Sequence, residues 1–101
     1  MDPTSIVRVD DVVDRVPVGA MVDGIDLVVI RRDAEFSVLY GRCLHRGALL
    51  SDGRVAGDTL FCGLHGWDYR IDTGVSAYNN AETLYRFTSW VDGDELFVDR
   101  G

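Results

Sequence analysis

The chain has 101 residues, is 47% hydrophobic, carries a formal net charge of −7 at pH 7, and contains only two cysteines and two histidines. That length allows one domain with a modest core that a metal staple would help to hold, and the apolar content argues against disorder. The negative charge disfavours nucleic acid and anionic membrane as partners, and no apolar run approaches the roughly 18–20 residues of a membrane span.

Taken in order, the chain reads as short strands separated by turns. Ile6 to Val9 is a first strand, and Asp10 to Asp14 a loop or single helical turn. Val18 to Val22 leads through Asp23-Gly24, a hairpin signal, into Ile25 to Arg31. Leu27-Val28-Val29-Ile30 is continuously apolar, as expected of a central strand. Arg32 to Glu35 is a turn and Phe36 to Tyr40 a strand. After Cys43 come a turn at Ser51-Asp52-Gly53, a strand at Arg54 to Ala56, a turn at Gly57-Asp58 and a strand at Thr59 to Phe61. Trp67 to Ile71 returns as a strand, Asp72-Thr73-Gly74 turns, and Ala77 to Glu82 is a loop. Leu84 to Val91 and Glu95 to Val98 form a closing hairpin around Asp92-Gly93-Asp94. Strands this short and evenly spaced predict an all-β sandwich or small barrel.

Two motifs carry the chemistry. Cys43-Leu44-His45 follows one strand, and Cys62-Gly63-Leu64-His65 follows another. Each supplies one soft thiolate and one imidazole from a tight turn, and together they use every cysteine and histidine of the chain. Both donor types suit iron. Two such turns can hold a [2Fe-2S] cluster, one per chain, with Cys43 and Cys62 on one iron and His45 and His65 on the other, nearer solvent. Two thiolates and two neutral imidazoles leave the oxidised centre uncharged, less negative than a four-cysteine centre, and this raises the potential. The same four side chains could bind one zinc ion and make the protein a zinc-stabilised interaction module. Against that, a zinc finger pairs like with like, whereas each turn here mixes the two ligand types. A disulfide is disfavoured because Met1-Asp2-Pro3-Thr4 begins no signal peptide, so a soluble protein of the reducing cytoplasm is expected.

Cys43-Leu44-His45-Arg46-Gly47 together with Cys62-Gly63-Leu64-His65-Gly66-Trp67 resembles the Rieske family. The resemblance extends along the chain: Val28 to Arg32 is similar to the strand before the first cluster turn, and Asp72-Thr73-Gly74 and Asp92 to Val98 to the downstream turn and closing hairpin. It implies a Rieske-type β-sandwich over residues 1–101 with a small cluster-binding subdomain of two loops, approximately 41–74. Respiratory-type members carry an extra cysteine pair and a serine at the position of Trp67, and this chain has neither. Fewer hydrogen bonds to cluster sulfur imply a low potential for the class, toward about −150 mV. The sequence resembles ferredoxin and oxygenase Rieske domains in this respect. A proline-containing shielding loop of many members is replaced by Val75-Ser76-Ala77-Tyr78-Asn79-Asn80.

Five further residues surround the expected ligands. Arg46 either binds a partner or tunes the cluster, or braces its loop against an acid. Gly47 and Gly63 permit tight turns whose amides can point at sulfide. Trp67 either lies in the electron path or packs beneath the cluster. Tyr69 matches the family position where a hydroxyl can bond a cysteine sulfur, with plain core packing as the other reading.

The function expected is one-electron transfer by a soluble ferredoxin, from a flavoprotein reductase to an oxygenase or similar acceptor, with no small-molecule substrate and no catalytic residue on this chain. A catalytic oxygenase needs two further histidines for a mononuclear iron, which this chain lacks. The alternative is an accessory Rieske domain of a larger redox enzyme, oxygenase-like or related to the flavoproteins of glutamate synthase.

Overall fold

In the computed structural model, residues 3–44, 47–62, 68–77 and 81–99 are described. They form ten strands in three antiparallel sheets, with two single 3-10 turns (Val9–Asp11 and Leu50–Asp52) and no α-helix among them. The fold is the expected all-β one.

The middle layer is a four-stranded sheet of β2 (Val18–Val22), β3 (Ile25–Arg32), β4 (Glu35–Tyr40) and β8 (Arg86–Phe87), in that order. Side chains alternate across a strand, so an unbroken apolar run means both faces are covered. Val28, Ile30 and Leu39 face one core with Leu50, Leu60, Tyr69, Ile71, Leu84 and both cysteines. Leu27, Val29 and Val38 face a second core with Val12, Val22, Leu96 and Val98.

The second core is closed by a sheet of β1 (Pro3–Arg8), β10 (Glu95–Asp99) and β9 (Ser89–Asp92), with β10 central. The first is closed by a small sheet of β5 (Arg54–Ala56), β6 (Thr59–Phe61) and β7 (Asp68–Arg70), with β6 central.

Two differences from the sequence expectation exceed a single residue. β1 begins at Pro3 rather than Ile6, because Pro3, Thr4 and Ser5 pair with Asp99, Val98 and Phe97 of β10. An edge strand tolerates the missing proline N–H. Leu84 to Val91 is not one strand. Arg86 and Phe87 pair with Leu39 and Val38, whereas Ser89 to Asp92 pair with β10 in another sheet. The chain changes sheets at Thr88, whose carbonyl accepts a 3.0 Å hydrogen bond from Asp99 N–H. No glycine or proline marks that crossing, so the run carries no turn signal there.

Candidate metal centre

β4 and β6 each deliver a cysteine just past their last residue: Cys43 follows Tyr40 by three positions, and Cys62 follows Phe61 directly. Both side chains are buried, at 2% and 3% exposure, and both are thiols rather than halves of a disulfide.

The first turn is pinned at four points. Gly41 N–H donates to Asp26 carbonyl and Leu50 N–H to Gly41 carbonyl, each at 2.8 Å. Cys43 N–H donates to Ala48 carbonyl at 2.8 Å, and Gly47 N–H to Cys43 carbonyl at 2.9 Å. Gly47 closes this loop with φ +69°, a conformation that costs a side-chain-bearing residue about 1–2 kcal/mol. Gly41 serves differently: a Cβ there would stand 2.7–2.8 Å from backbone atoms of Asp26 and Leu27. Only glycine lets the turn press this closely on β3.

Arg42 completes the brace. Its Nε donates to the Asp26 carboxylate and its Nη1 to the Gly47 carbonyl, both at 2.7 Å. One guanidinium thus joins β3 to the far side of the first turn. This pair was not singled out from sequence. The available signal was a lone acid at the start of an otherwise apolar strand.

The second turn is closed at its base by the pair Phe61 and Asp68, behind which Leu60 faces Tyr69. Leu60 and Tyr69 are fully buried. The Tyr69 hydroxyl crosses from this turn to the first. It accepts the Leu44 N–H at 3.1 Å and lies 3.6 Å from Cys43 Sγ. Burial raises its pKa well above the ordinary tyrosine value, the Leu44 N–H lowers it, and Cys43 and then Cys62 raise it. The hydroxyl therefore keeps its proton. With a lone pair taken by Leu44 and a thiolate at position 43, that proton points at sulfur.

Of the residues singled out from sequence, Cys43, Cys62 and Tyr69 thus share one buried core, and Gly47 closes the turn that carries Cys43. His45, Arg46, Gly63, His65, Trp67 and Tyr78 lie outside the described residues. Among the described residues, no group of three or more histidine, cysteine or acidic side chains could hold a metal ion. The donor set is that of a thiolate-ligated metal: two buried thiols from separate turns, with a hydroxyl positioned to donate to sulfur.

The Rieske [2Fe-2S] domain family model matches residues 2–88. The terminal oxygenase component of carbazole 1,9a-dioxygenase from a Sphingomonas species is 36% identical over 67 residues, 63% of this chain and 18% of the oxygenase. The chain therefore spans less than a fifth of that relative's length. The ferredoxin of carbazole 1,9a-dioxygenase from Nocardioides aromaticivorans superposes with a TM-score of 0.88 at 25% identity, covering 97% of each chain. A reduced complex between oxygenase and ferredoxin in carbazole 1,9a-dioxygenase contains a chain that matches with a TM-score of 0.86 at 25% identity, over 96% of this chain and 28% of that one.

Proposed function

This chain belongs to the Rieske [2Fe-2S] domain family, and on that premise we propose that it is an electron carrier that delivers single electrons to an oxygenase. The cofactor is the family's [2Fe-2S] cluster, which supplies one-electron redox chemistry when bound. In this reading Cys43 and Cys62 hold the inner iron, and His45 and His65 hold the outer iron at the exposed edge. Residues 41–74 form the cluster-binding part of a domain extending over 1–101.

One observation carries the reading: two buried thiols, delivered by two separate strands, share one core with Tyr69, whose hydroxyl lies 3.6 Å from Cys43 Sγ. The near-complete mutual coverage with a dioxygenase ferredoxin supports a carrier rather than a catalyst. The chain's own residues would then bind and orient the cluster, exclude water from its cysteine side and present its histidine side. No residue is assigned a catalytic role. A flavoprotein reductase is the proposed donor, the cytoplasm the proposed location, and among the described residues no helix is long and apolar enough to cross a membrane.

The test is metal and sulfide analysis of protein purified without air, followed by electron paramagnetic resonance after dithionite reduction. The expected result is two irons and two sulfides per chain, with an average g value below that of an all-cysteine cluster. Zinc, or an iron signal of the all-cysteine type, would overturn the assignment.

The identity to an oxygenase component also supports a second reading, in which this sequence is the Rieske segment of a larger redox enzyme. The mass of the native polypeptide separates the two.

A further inference from the structure

Asp68 is the one described side chain with a buried oxygen that nothing explains. Its Oδ1 is shielded from solvent and has no hydrogen-bond partner among the described residues. A buried carboxylate oxygen without a donor is unfavourable, and stable proteins rarely retain one without a use.

Its position suggests the use. Asp68 opens β7 and pairs with Phe61, the residue immediately before Cys62. Cross-strand spacing puts its Cα about 6–7 Å from that of Cys62, inside the distance over which salt screens charges. In chain order it stands three residues after His65.

The row Arg54, Phe61, Asp68 runs across the three strands of the small sheet, on the face opposite Val55, Leu60 and Tyr69. Arg54 lies over the Phe61 ring, 4.7 Å from its centre. The other charged groups described on that side are Arg70 of β7, Asp58 of the β5–β6 turn and Asp72 just after β7; Arg70 pairs with Asp58 at 3.0 Å and with Asp72 at 3.6 Å. β6 contributes Thr59 and Phe61, and the segment 75–77 along the outer edge of β7 carries no charge. Asp68 therefore faces one uncompensated cation, across an aromatic ring and without an ion pair to it.

We propose that Asp68 is a redox-linked proton acceptor: when the cluster gains one electron, the Asp68 carboxylate takes one proton from water, so that reduction in mildly acidic solution is proton-coupled. The proposal rests on the cluster assignment above. The electron comes from the carrier's reductant, and the proton comes from solvent and forms the O–H bond of the carboxylic acid. No other bond changes. Burial raises the pKa of this carboxyl above the ordinary 3.8, with Arg54 opposing. An added negative charge close by raises it further. Protonation also removes the cost of the undonated oxygen.

The experiment is a potentiometric titration of the holoprotein across pH, with wild type, Asp68→Asn and Arg54→Gln. In wild type the midpoint should fall as pH rises from 3.8 toward neutrality and then level off. Asp68→Asn should abolish that acid limb and give a more positive midpoint at neutral pH. Arg54→Gln should lower the neutral midpoint and move the acid limb to higher pH, a shift of opposite sign that stands even if Asp68→Asn folds poorly. Any alkaline limb from the histidine ligands is common to all three. A wild-type protein without the mixed-ligand resonance signal defeats the cluster assignment. A normal signal with an unchanged acid limb in Asp68→Asn, or with no shift in Arg54→Gln, defeats the role of Asp68 alone.

Discussion

The Tyr69 hydroxyl lies 3.6 Å from Cys43 Sγ, although the two residues are 26 positions apart on different turns. It also takes the Leu44 N–H. A single buried oxygen thus ties β7 to the first turn and, in the proposed assignment, directs a proton at the sulfur that holds the cluster. A hydrogen bond to thiolate favours the reduced, more electron-rich state. Tyr69→Phe keeps the packing and removes the bond. A difference of about 1 kcal/mol between redox states corresponds to roughly 40 mV. The midpoint should therefore fall by some tens of millivolts with iron content unchanged, as read by redox titration.

In the proposed assignment the two thiols are required for loading. Cys62→Ser replaces a soft buried ligand by a hydroxyl that binds iron poorly, and cluster binding contributes to folding. Purified Cys62→Ser should contain little iron, lack the red-brown colour and melt well below the wild-type holoprotein. Metal analysis and thermal denaturation followed by circular dichroism check this.

Arg42 offers a milder perturbation. Its bonds to Asp26 and Gly47 are short, but the guanidinium is partly exposed and solvent screens the pair. Arg42→Ala should cost about 1 kcal/mol and loosen the first turn. The measurable effects are a lower denaturation midpoint and faster loss of iron to a chelator.

Gly41 should tolerate no side chain. Alanine there would drive its Cβ into the backbone of β3, where no flexible atom can yield. Gly41→Ala should cost about 1–3 kcal/mol, the range for overpacking, and reduce iron incorporation. Holoprotein yield and denaturant unfolding report it.

The opposite end of the central sheet gives a pH-dependent lock. Asp14 Oδ1 accepts the Asp33 N–H at 2.6 Å, and Arg15 contacts both carboxylates. The Asp33 N–H is the main cause holding the Asp14 pKa below 3.8; burial opposes it, and Arg15 and then Arg31 add to the lowering. A depressed acid pKa stabilises the fold above the unfolded value and loses that contribution as pH falls through the folded one. Acid unfolding should therefore show a component below pH 3.8 that Asp14→Asn removes, and the variant should be less stable than wild type at neutral pH, where the charged carboxylate contributes fully.

Much of this was legible in the sequence because local rules and tertiary structure agree. Val18–Val22, Arg54–Ala56 and Thr59–Phe61 have the expected bounds, each flanked by a glycine or aspartate turn. Cys43 and Cys62 were marked by their spacing to histidine. The crossing at Thr88 was not legible, because no glycine or proline marks the point where the chain changes sheets. Nor was the Arg42–Asp26 brace, which depends on register between β3 and β4 rather than on nearness in sequence. Nothing in the sequence singles out Asp68, since only packing reveals its undonated oxygen.

The cysteines sit on one side of the central sheet only. The layer formed by Val12, Leu27, Val29, Val38, Leu96 and Val98 contains neither of them. A newly made chain can thus assemble this half by hydrophobic burial alone, before iron and sulfide arrive. Loading completes a molecule already half built, and loss of the cluster need not send it back to the beginning.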